Sequence, residues 1–497
     1  MRRRFARLVR SARPRPVLGL LGALAMGACT VGPTYHRPAV ATPDAYAEAA
    51  DTTRTAIRPD DADLSRWWTQ FPDPELRSLI GRALQSNLDL RAAASRVRQA
   101  RQQEIIAGAA EYPTLGANGT ALTVNSNRGS PPPGAAMGAT IPGHLNLYAA
   151  GFDATWEVDR FGGARRAVEE ARADTAASLW ARRDGEVTLT AEVANDYLGL
   201  RALQARIAIG QAELRRQKDL GGLIGARRRT GFVTNLDVNQ QSTVVATTAA
   251  QIPQLQAQAK GQVHAIAVLL GRPPEALESE LNANPGVLPP PPPTLPVGLP
   301  SELLRRRPDL REAERKLAAA SAQIGVRTAN LYPKLDLIGL ASTAGMTPSS
   351  LFTSQSFTSA GLGMLSAPIF EGGKTRASSR VAREQYVQAG LAYQGAVLKA
   401  LAGVEDALAR YRTEEDRHAS LTQAVIASAA SRVIAEDQYR TGLVTFINVL
   451  QAENAELNAQ DQLIQADALA VTDLVAVYKA LGGGWACSSP AASACEP

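Results

Sequence analysis

The stretch that decides the fold occurs twice, as RRTGFVTNLDVNQQ at residues 228–241 and as YRTGLVTFINVLQA at residues 439–452. Both copies lie between long segments that are rich in Ala and Gln. In each copy the Gly can adopt the left-handed conformation that ends a helix, and the Thr or Asn that follows can cap the next helix. We therefore predict that each copy is the tip of a helical hairpin, near residues 230–234 and near residues 441–445.

The repeat extends far beyond these two tips. The segment that begins at Ser86, SNLDLRAAASRVRQARQQEIIAGAAEYPTL, aligns with the segment that begins at Arg307, RPDLREAERKLAAASAQIGVRTANLYPKL. Between the halves lies PGVLPPPPPTLPVGLP, whose prolines favour an extended connector. The chain is thus predicted to be a tandem duplication. Its predicted parts are a signal peptide at 1–28, a lipidated N-terminal extended segment at 29–70, the first repeat at 71–284, the connector at 285–300, the second repeat at 301–485 and a flexible tail at 486–497.

The segments on both sides of each tip have the pattern of long helices. After the first tip, Val238, Val245 and Ile252 recur every seven residues, and such a seam indicates helices that pack side by side as in a coiled coil. The helix before the first tip carries two seams, which suits a helix with neighbours on both sides, as in a wall or a barrel. About 60 helical residues would reach roughly 90 Å. Pro253 predicts a kink.

Four segments have the pattern of β strands, and the clearest is NLYAAGFDATWEVDR, which begins at Asn146. Apolar and polar side chains alternate along it, as in a transmembrane strand and also as in an amphipathic strand of a soluble sandwich. Four strands cannot close a barrel in a membrane, because an open edge in lipid leaves backbone groups unpaired. The chain must therefore oligomerise if its strands lie in a membrane. The predicted strands cover residues 114–125, 145–159, 334–343 and 357–370.

The N-terminus has the pattern of a secretory signal. A basic start is followed by VLGLLGALAMGA, an apolar stretch that is too short to span a bilayer. The small residues before Cys29 resemble a bacterial lipobox, in which the cysteine becomes the lipidated N-terminus. The alternative is an ordinary cleaved signal in which Cys29 is incidental. Near the C-terminus, Cys487 and Cys495 could form a disulfide in an oxidising periplasm.

Motifs of catalysis and of nucleic-acid binding are missing from the sequence. The segment GGKT, which begins at Gly372, suggests a phosphate-binding loop, but Pro368 stands where that motif needs its first glycine. HExxH, GxSxG and EF-hand patterns do not occur, and no cysteine or histidine spacing indicates a metal site. The net charge of +6 comes from Arg interspersed with Asp and Glu, which is typical of solvated helix faces. We expect no enzymatic activity, no cofactor, no metal and no nucleic-acid partner.

Several motifs together resemble the TolC-like outer-membrane efflux protein family, and in particular its lipoprotein branch. They are CTVGPTYHRP, WEVDRFG, LPSELLRRRPDLREAERKLAAASAQIG, LYPKL, the two RTG phrases and LGGGW. The resemblance implies a mostly α fold with a small transmembrane β part, organised as two tandem repeats per chain. It implies a homotrimer in which a 12-stranded outer-membrane β-barrel, with four strands per chain, continues into a long periplasmic α-helical barrel.

The same resemblance implies the partners and the site residues. The partners are a periplasmic membrane-fusion adaptor protein, an inner-membrane pump of the resistance-nodulation-division type and outer-membrane lipid through the acyl anchor at Cys29. Residues just after each tip line the periplasmic constriction in the family, often with acidic side chains. Here only one of the three matching residues is acidic, and polar packing at a helix start is the alternative. The candidate docking tips are Thr230, Gly231, Phe232, Val233, Thr441, Gly442, Leu443 and Val444, and the candidate gate residues are Asp237, Asn448 and Gln451.

The expected function is that of a passive exit duct of a tripartite efflux pump. Such a duct would conduct small toxic compounds, namely drugs, dyes or metal ions, across the periplasm and the outer membrane. One alternative with the same fold is the outer-membrane channel of a type I protein secretion system. An alternative of another class is a periplasmic coiled-coil scaffold lipoprotein that spans no membrane.

Overall fold

A computed structural model describes residues 30–48, 64–125, 144–283, 285, 287–292 and 297–486. The predicted signal peptide, Cys29, Cys487 and Cys495 lie outside these residues. The chain divides into two compact units, and each is built from three separate stretches of sequence. The first unit comprises Met1–Arg37, Ala100–Asp174 and Lys316–Ala389, and the second comprises Pro38–Gln99, Thr175–Arg315 and Gly390–Pro497.

The first unit contains a four-stranded sheet in the order β1-β2-β3-β4, with every neighbouring pair antiparallel. Its register places Leu122 opposite Leu147 and Ile338 opposite Leu362. Within the described part of the chain, β1 and β4 are the edge strands, and each leaves one row of backbone groups without a strand partner. The strands are β1 Thr114–Asn125, β2 His144–Val158, β3 Lys334–Gly345 and β4 Phe357–Ser366.

The strand bounds differ from the expected ones mainly in β4, which ends at Ser366 and not at residue 370. Pro368 follows closely, and because proline has no backbone N–H it cannot donate to a sheet ladder. Ile369 and Phe370 beyond it are almost fully exposed. The other differences are small, since β2 begins and ends one residue earlier than expected and β3 ends two residues later.

Nine α-helices account for most of the described chain. The two longest have 67 and 68 residues and contain no proline, so nothing in their sequence interrupts the backbone ladder. At 1.5 Å per residue each is roughly 100 Å long. The helices are α1 Pro74–Ser86, α2 Leu88–Ala109, α3 Gly163–Arg229, α4 Asn235–Leu269, α5 Glu278–Ala283, α6 Pro300–Arg306, α7 Pro308–Ala329, α8 Lys374–Thr441 and α9 Phe446–Ala480.

Short 3-10 segments and caps complete the backbone. Asp73 begins α1, because its carboxylate accepts hydrogen bonds from the backbone N–H groups of Glu75 and Leu76 at 2.9 and 3.1 Å. Helix α4 continues through Pro253, so this proline does not end the helix. Among the described helices, none is long and apolar enough to cross a membrane. The 3-10 segments are Leu64–Gln70, Pro274–Leu277, Pro348–Phe352 and Ser354–Ser356.

The second unit has an aromatic core beside the last helix. Trp67 stacks on Tyr478 of α9 with ring centroids 5.2 Å apart, and both side chains are buried. Trp485 of the LGGGW motif donates from its indole Nε1 to the carbonyl of Arg306 at 3.0 Å and meets Trp180 of α3 edge-on. Aromatic pairs of this kind stabilise the fold by more than the burial of their apolar surface alone. The C-terminal motif is thus fixed to the end of α6 and to the side of α3 at Trp180.

Candidate functional site

The first tip joins α3 to α4 through a tight left-handed turn. Gly231 has φ +80°, and the N–H of Phe232 donates to the carbonyl of Arg227 at 3.0 Å. This bond satisfies a carbonyl that the end of the helix would otherwise leave without a partner. A Cβ added at Gly231 would meet no atom within 4 Å, so the backbone conformation and not the space requires glycine here.

The second tip joins α8 to α9 with the same geometry. Gly442 also has φ +80°, and the N–H of Leu443 donates to the carbonyl of Gln438 at 2.9 Å. The hydroxyl of Thr441 donates to the same carbonyl at 3.0 Å, as the hydroxyl of Thr230 does to that of Arg227 in the first tip. The duplicated phrase therefore specifies one turn in both halves of the chain.

The tips expose large apolar side chains. Phe232 is 82% exposed and Leu443 is 77% exposed, whereas the next residues, Val233 and Val444, are half-buried against the helices below. Threonine and glycine at positions 230, 231, 441 and 442 are exposed. Exposed apolar groups beside polar ones at the end of a hairpin are typical of a protein-interaction surface. All eight residues of the two predicted docking motifs lie on these turns.

An apolar cluster directly beneath the tips unites the two hairpins. It consists of Ile224 from α3, Tyr439 from α8, and Phe446, Val449 and Leu450 from α9, all buried. Half-buried Val238 of α4 packs against it, so all four helices contribute. The two hairpins of one chain are therefore held together by side-chain packing close to their ends.

Arg227 forms a polar link between the same two hairpins. From the end of α3 its guanidinium donates to the carbonyls of Tyr439 and Arg440 at 3.2 and 2.8 Å, and it lies 5.1 Å from the centroid of the Tyr439 ring. These carbonyls belong to the last turn of α8, where the helix dipole favours a positive charge. Arg227 thus caps the C-terminus of a helix in the other hairpin.

The three candidate gate residues occupy different environments. Asp237 is half-buried, and its carboxylate accepts hydrogen bonds from the backbone N–H and the hydroxyl of Thr234 at 2.9 and 3.0 Å. Asn448 is exposed and accepts from the hydroxyl of Thr445 at 2.9 Å, and Gln451 is exposed. Asp237 therefore serves the start of α4, which is the role that the alternative interpretation gave it. The side chain of Asn448 bonds only the side chain of the residue before α9.

A buried polar layer lies further along the helices from the tips. Glu213 of α3 is buried, accepts from Arg216, and accepts from Nε2 of Gln217 at 2.8 Å. Glu456 of α9 is buried and accepts from Nε of Arg432 on α8. Gln241 of α4 donates from Nε2 to the carbonyl of Gln217 at 2.6 Å.

Glu453 differs from the other members of this layer. It is 1% exposed, and neither of its carboxylate oxygens has a hydrogen-bond partner. Burial, together with repulsion from Glu213, raises the pKa of Glu453 to about 7. A buried carboxyl without partners is costly when ionised, so this residue is a candidate for a functional role.

Sequence reasoning missed Arg227 and Glu453. A signal for Glu453 was present in the seam formed by Leu450, Leu457 and Ile464, which recur every seven residues. Glu453 follows Leu450 by three residues and so occupies the second core position of this seam, where an apolar residue is expected. Gln241 likewise follows Val238 of the first seam by three residues, although in the repeat Glu453 corresponds to Ser242. Arg227 lies in a run of three arginines, and nothing local distinguishes it from Arg228 and Arg229. Its partner is in the other half of the chain, so only the fold identifies it.

Comparison with known proteins gives consistent matches over nearly the whole chain. The family model described as outer membrane efflux protein matches residues 79–272 and 299–483, one match in each half. The pyoverdine export outer membrane protein OpmQ of Pseudomonas putida (strain KT2440) is 34% identical over 480 residues, which cover 96% of this chain and 99% of that protein. The cation efflux system protein CusC of Escherichia coli O6:H1 is 28% identical over 475 residues, which cover 95% and 99% of the two chains.

Solved structures have the same fold. The outer-membrane channel OprN superposes with a TM-score of 0.83 at 35% identity, covering 92% of this chain and 100% of that chain. The open state of the Neisseria gonorrhoeae MtrE outer membrane channel has a TM-score of 0.78 at 27% identity, covering 92% and 99%. The mostly α fold with a small β part, organised as two tandem repeats, is therefore confirmed.

Proposed function

The chain belongs to the outer membrane efflux protein family, and from that premise we propose that it is the passive exit duct of a tripartite efflux pump in the outer membrane. The observation that supports this most directly is the family match in both halves, 79–272 and 299–483, because each half then contributes one long hairpin and one pair of strands to the duct. Conduction through the duct requires no catalytic residue. The chain provides a wall, and the pump provides the energy.

Three chains complete the duct. A four-stranded sheet with edges at β1 and β4 cannot be closed by one chain, and an unpaired edge in lipid costs several kcal/mol for each unsatisfied group. Pairing β4 of one chain with β1 of the next gives a closed ring of twelve strands, the trimeric arrangement of the family. The lipid anchor at Cys29 would add a second attachment to the outer membrane.

The tips are the surface on which a periplasmic adaptor docks. Phe232 and Leu443 are the exposed apolar contacts, and the turns that present them are fixed by Gly231 and Gly442. Docking opens the duct by favouring a conformation in which the hairpins part, since a ligand shifts a conformational equilibrium only by binding one state better. Asp237, Asn448 and Gln451 would line the opening, with Asp237 as its acidic member.

The cargo consists of small toxic compounds. Relatives are named for pyoverdine export and for cation efflux, so ducts of one fold serve chemically different cargo. In our proposal the pump selects the cargo and the duct conducts it. The inner-membrane partner is a pump of the resistance-nodulation-division type.

The proposal is tested in a strain from which this gene has been deleted. We expect deletion to raise the accumulation of small dyes and to lower resistance to them, and the intact gene to restore both. Purified protein should migrate as a trimer and should conduct ions in a planar lipid bilayer. Unchanged dye accumulation together with lost export of a polypeptide would assign the chain to type I secretion. A protein that neither forms trimers nor conducts would be a scaffold, and the duct would be excluded.

A further inference from the structure

The layer around Glu453 has more carboxylates than guanidinium groups. Two arginines, Arg216 of α3 and Arg432 of α8, face four carboxyl groups, and each already pairs with at least one of them, although Nε of Arg216 has no hydrogen-bond partner. At the edge of the layer, Arg440 of α8 lies 3.6 Å from the carboxylate of Glu436. Arg432 binds Glu456 through Nε and Glu436 through Nη1 at 2.5 Å. Arg216 binds Glu213 and approaches Glu456 to 3.8 Å. The four carboxyl groups are those of Glu213, Glu436, Glu453 and Glu456.

Glu453 is the member of this layer that remains uncompensated. Its own helix contributes Glu456, α3 contributes Glu213 and Arg216, α8 contributes Arg432 and Glu436, and the polar residue of this layer from α4 is the neutral Gln241. Glu213 and Glu436 repel a negative charge on Glu453, and the two arginines that attract this charge already pair with other carboxylates. Burial, which disfavours the ionised form, therefore has the largest effect on the protonation of Glu453. The neutral, protonated carboxyl is the form that suits the packed helices.

The position of this layer connects it to the tips. Glu453 lies one turn of α9 beyond Leu450 and Val449, which belong to the apolar cluster that unites the hairpins. Parting of α3 from α8 and α9 would open the cluster and admit water to the carboxylate. An ionised carboxylate gains hydration in that open conformation and loses it in the packed one.

We propose that Glu453 is a proton-linked latch between the two hairpins of each chain: its protonated form holds the hairpins together, and its ionised form favours their parting. This inference rests on the proposed duct, because the hairpins that part are those that close it. The proton exchanges with periplasmic water, and no bond other than the O–H of the carboxyl group forms or breaks. A periplasm that becomes more acidic would thus shift the duct towards its closed conformation.

The direction of the pH effect follows from linkage. In the parted conformation the carboxyl group is hydrated and titrates near its ordinary value of 4.5, whereas in the packed conformation its pKa is about 7. The contribution of Glu453 to the stability of the packed conformation is therefore complete below the lower pKa, and it is lost as the pH rises through the higher pKa. Between about pH 5.5 and about pH 8 we expect the equilibrium to shift on the order of tenfold towards the open conformation.

The experiment measures the open probability of full-length trimers in planar bilayers at these two pH values. We expect the wild type to open on the order of tenfold more at the higher pH, and Glu453→Gln to remain at the low level of the acidic wild type at both. Asp219→Asn is the matched control, because Asp219 is an exposed carboxylate on the neighbouring α3, and it should respond like the wild type. Glu213→Gln removes a repulsion and should move the midpoint of the response to lower pH.

The outcomes separate this inference from the proposed function. A pH response that is the same in Glu453→Gln and in the wild type would overturn the latch and leave the duct standing. A midpoint that Glu213→Gln does not move would also overturn the latch, and this holds even if Glu453→Gln fails to assemble. If the wild type conducts at neither pH, both the duct and the latch are wrong.

Discussion

The two hairpins of the chain share one backbone design and differ in their charges. Both tips have a glycine at φ +80° and the same backbone hydrogen bond behind it. In the polar layer below, the buried carboxylate of the first hairpin, Glu213, accepts hydrogen bonds from Arg216 and Gln217, whereas the second hairpin has Glu453, whose oxygens have no hydrogen-bond partner. Duplication has therefore kept what the turn requires and has allowed the interior to diverge.

The shared design of the tips can be broken by removing both glycines. Gly231→Val together with Gly442→Val forces β-branched side chains into a left-handed backbone, at a cost of roughly 1–3 kcal/mol per site. We expect the turns to rearrange, and pump-dependent dye resistance to fall to the level of the deletion strain. Trimers should still form and reach the membrane.

The control for this experiment is Gly222→Ala. Gly222 lies inside α3 with space for a methyl group, so resistance should be retained. Normal resistance in the double valine variant would show that the glycine turns are not needed for docking.

The difference between the hairpins is tested by the pH dependence of stability. Because the pKa of Glu453 is raised to about 7 in the folded chain, its contribution to stability is complete below pH 4.5 and is lost as the pH rises through 7. We expect the wild type to lose about 3 kcal/mol per chain relative to Glu453→Gln between these limits. Thermal unfolding of the detergent-solubilised trimer at a series of pH values measures this difference. Parallel curves for the two proteins would contradict the assignment.

Local chemistry explains which features could be predicted from the sequence. The tips follow from glycine, threonine and helix periodicity within ten residues, and the strand pattern at 146–158 follows from alternation, so both could be recognised without the fold. The end of β4 could not, because a strand pattern that continues to Phe370 conceals the interruption at Pro368. Arg227 and the environment of Glu453 depend on side chains from the other half of the chain. Periodicity marks Glu453 as an anomaly but does not say what surrounds it.

The link from the first hairpin to the second can be weakened at one side chain. Arg227→Met keeps the aliphatic part of the side chain but removes two hydrogen bonds to the last turn of α8 and the contact with the Tyr439 ring. We expect a loss of about 1–2 kcal/mol and a higher open probability of the duct at every pH. Arg229→Met, at an exposed position in the same run of arginines, is the control and should behave like the wild type. An open probability that does not change in Arg227→Met would mean that the apolar cluster alone holds the hairpins.

The smallest expected effect concerns the unequal gate residues. Asp237 is acidic and Asn448 is neutral. In a trimer whose gate contains both residues, the three Asp237 side chains form a negatively charged ring and the three Asn448 side chains form a neutral one. Asp237→Asn should weaken block of the conductance by a multivalent cation several-fold, because a ring of carboxylates concentrates cations at a constriction. The same change costs only about 0.5–1 kcal/mol of helix stability, since the amide oxygen can still accept from Thr234.

Asn448→Asp should strengthen the block of the conductance. This substitution separates a role in the gate from a role at the helix start, because Asn448 already accepts from the hydroxyl of Thr445 and an aspartate can do the same. If neither substitution alters the block while both alter stability, these residues are caps and the constriction lies elsewhere.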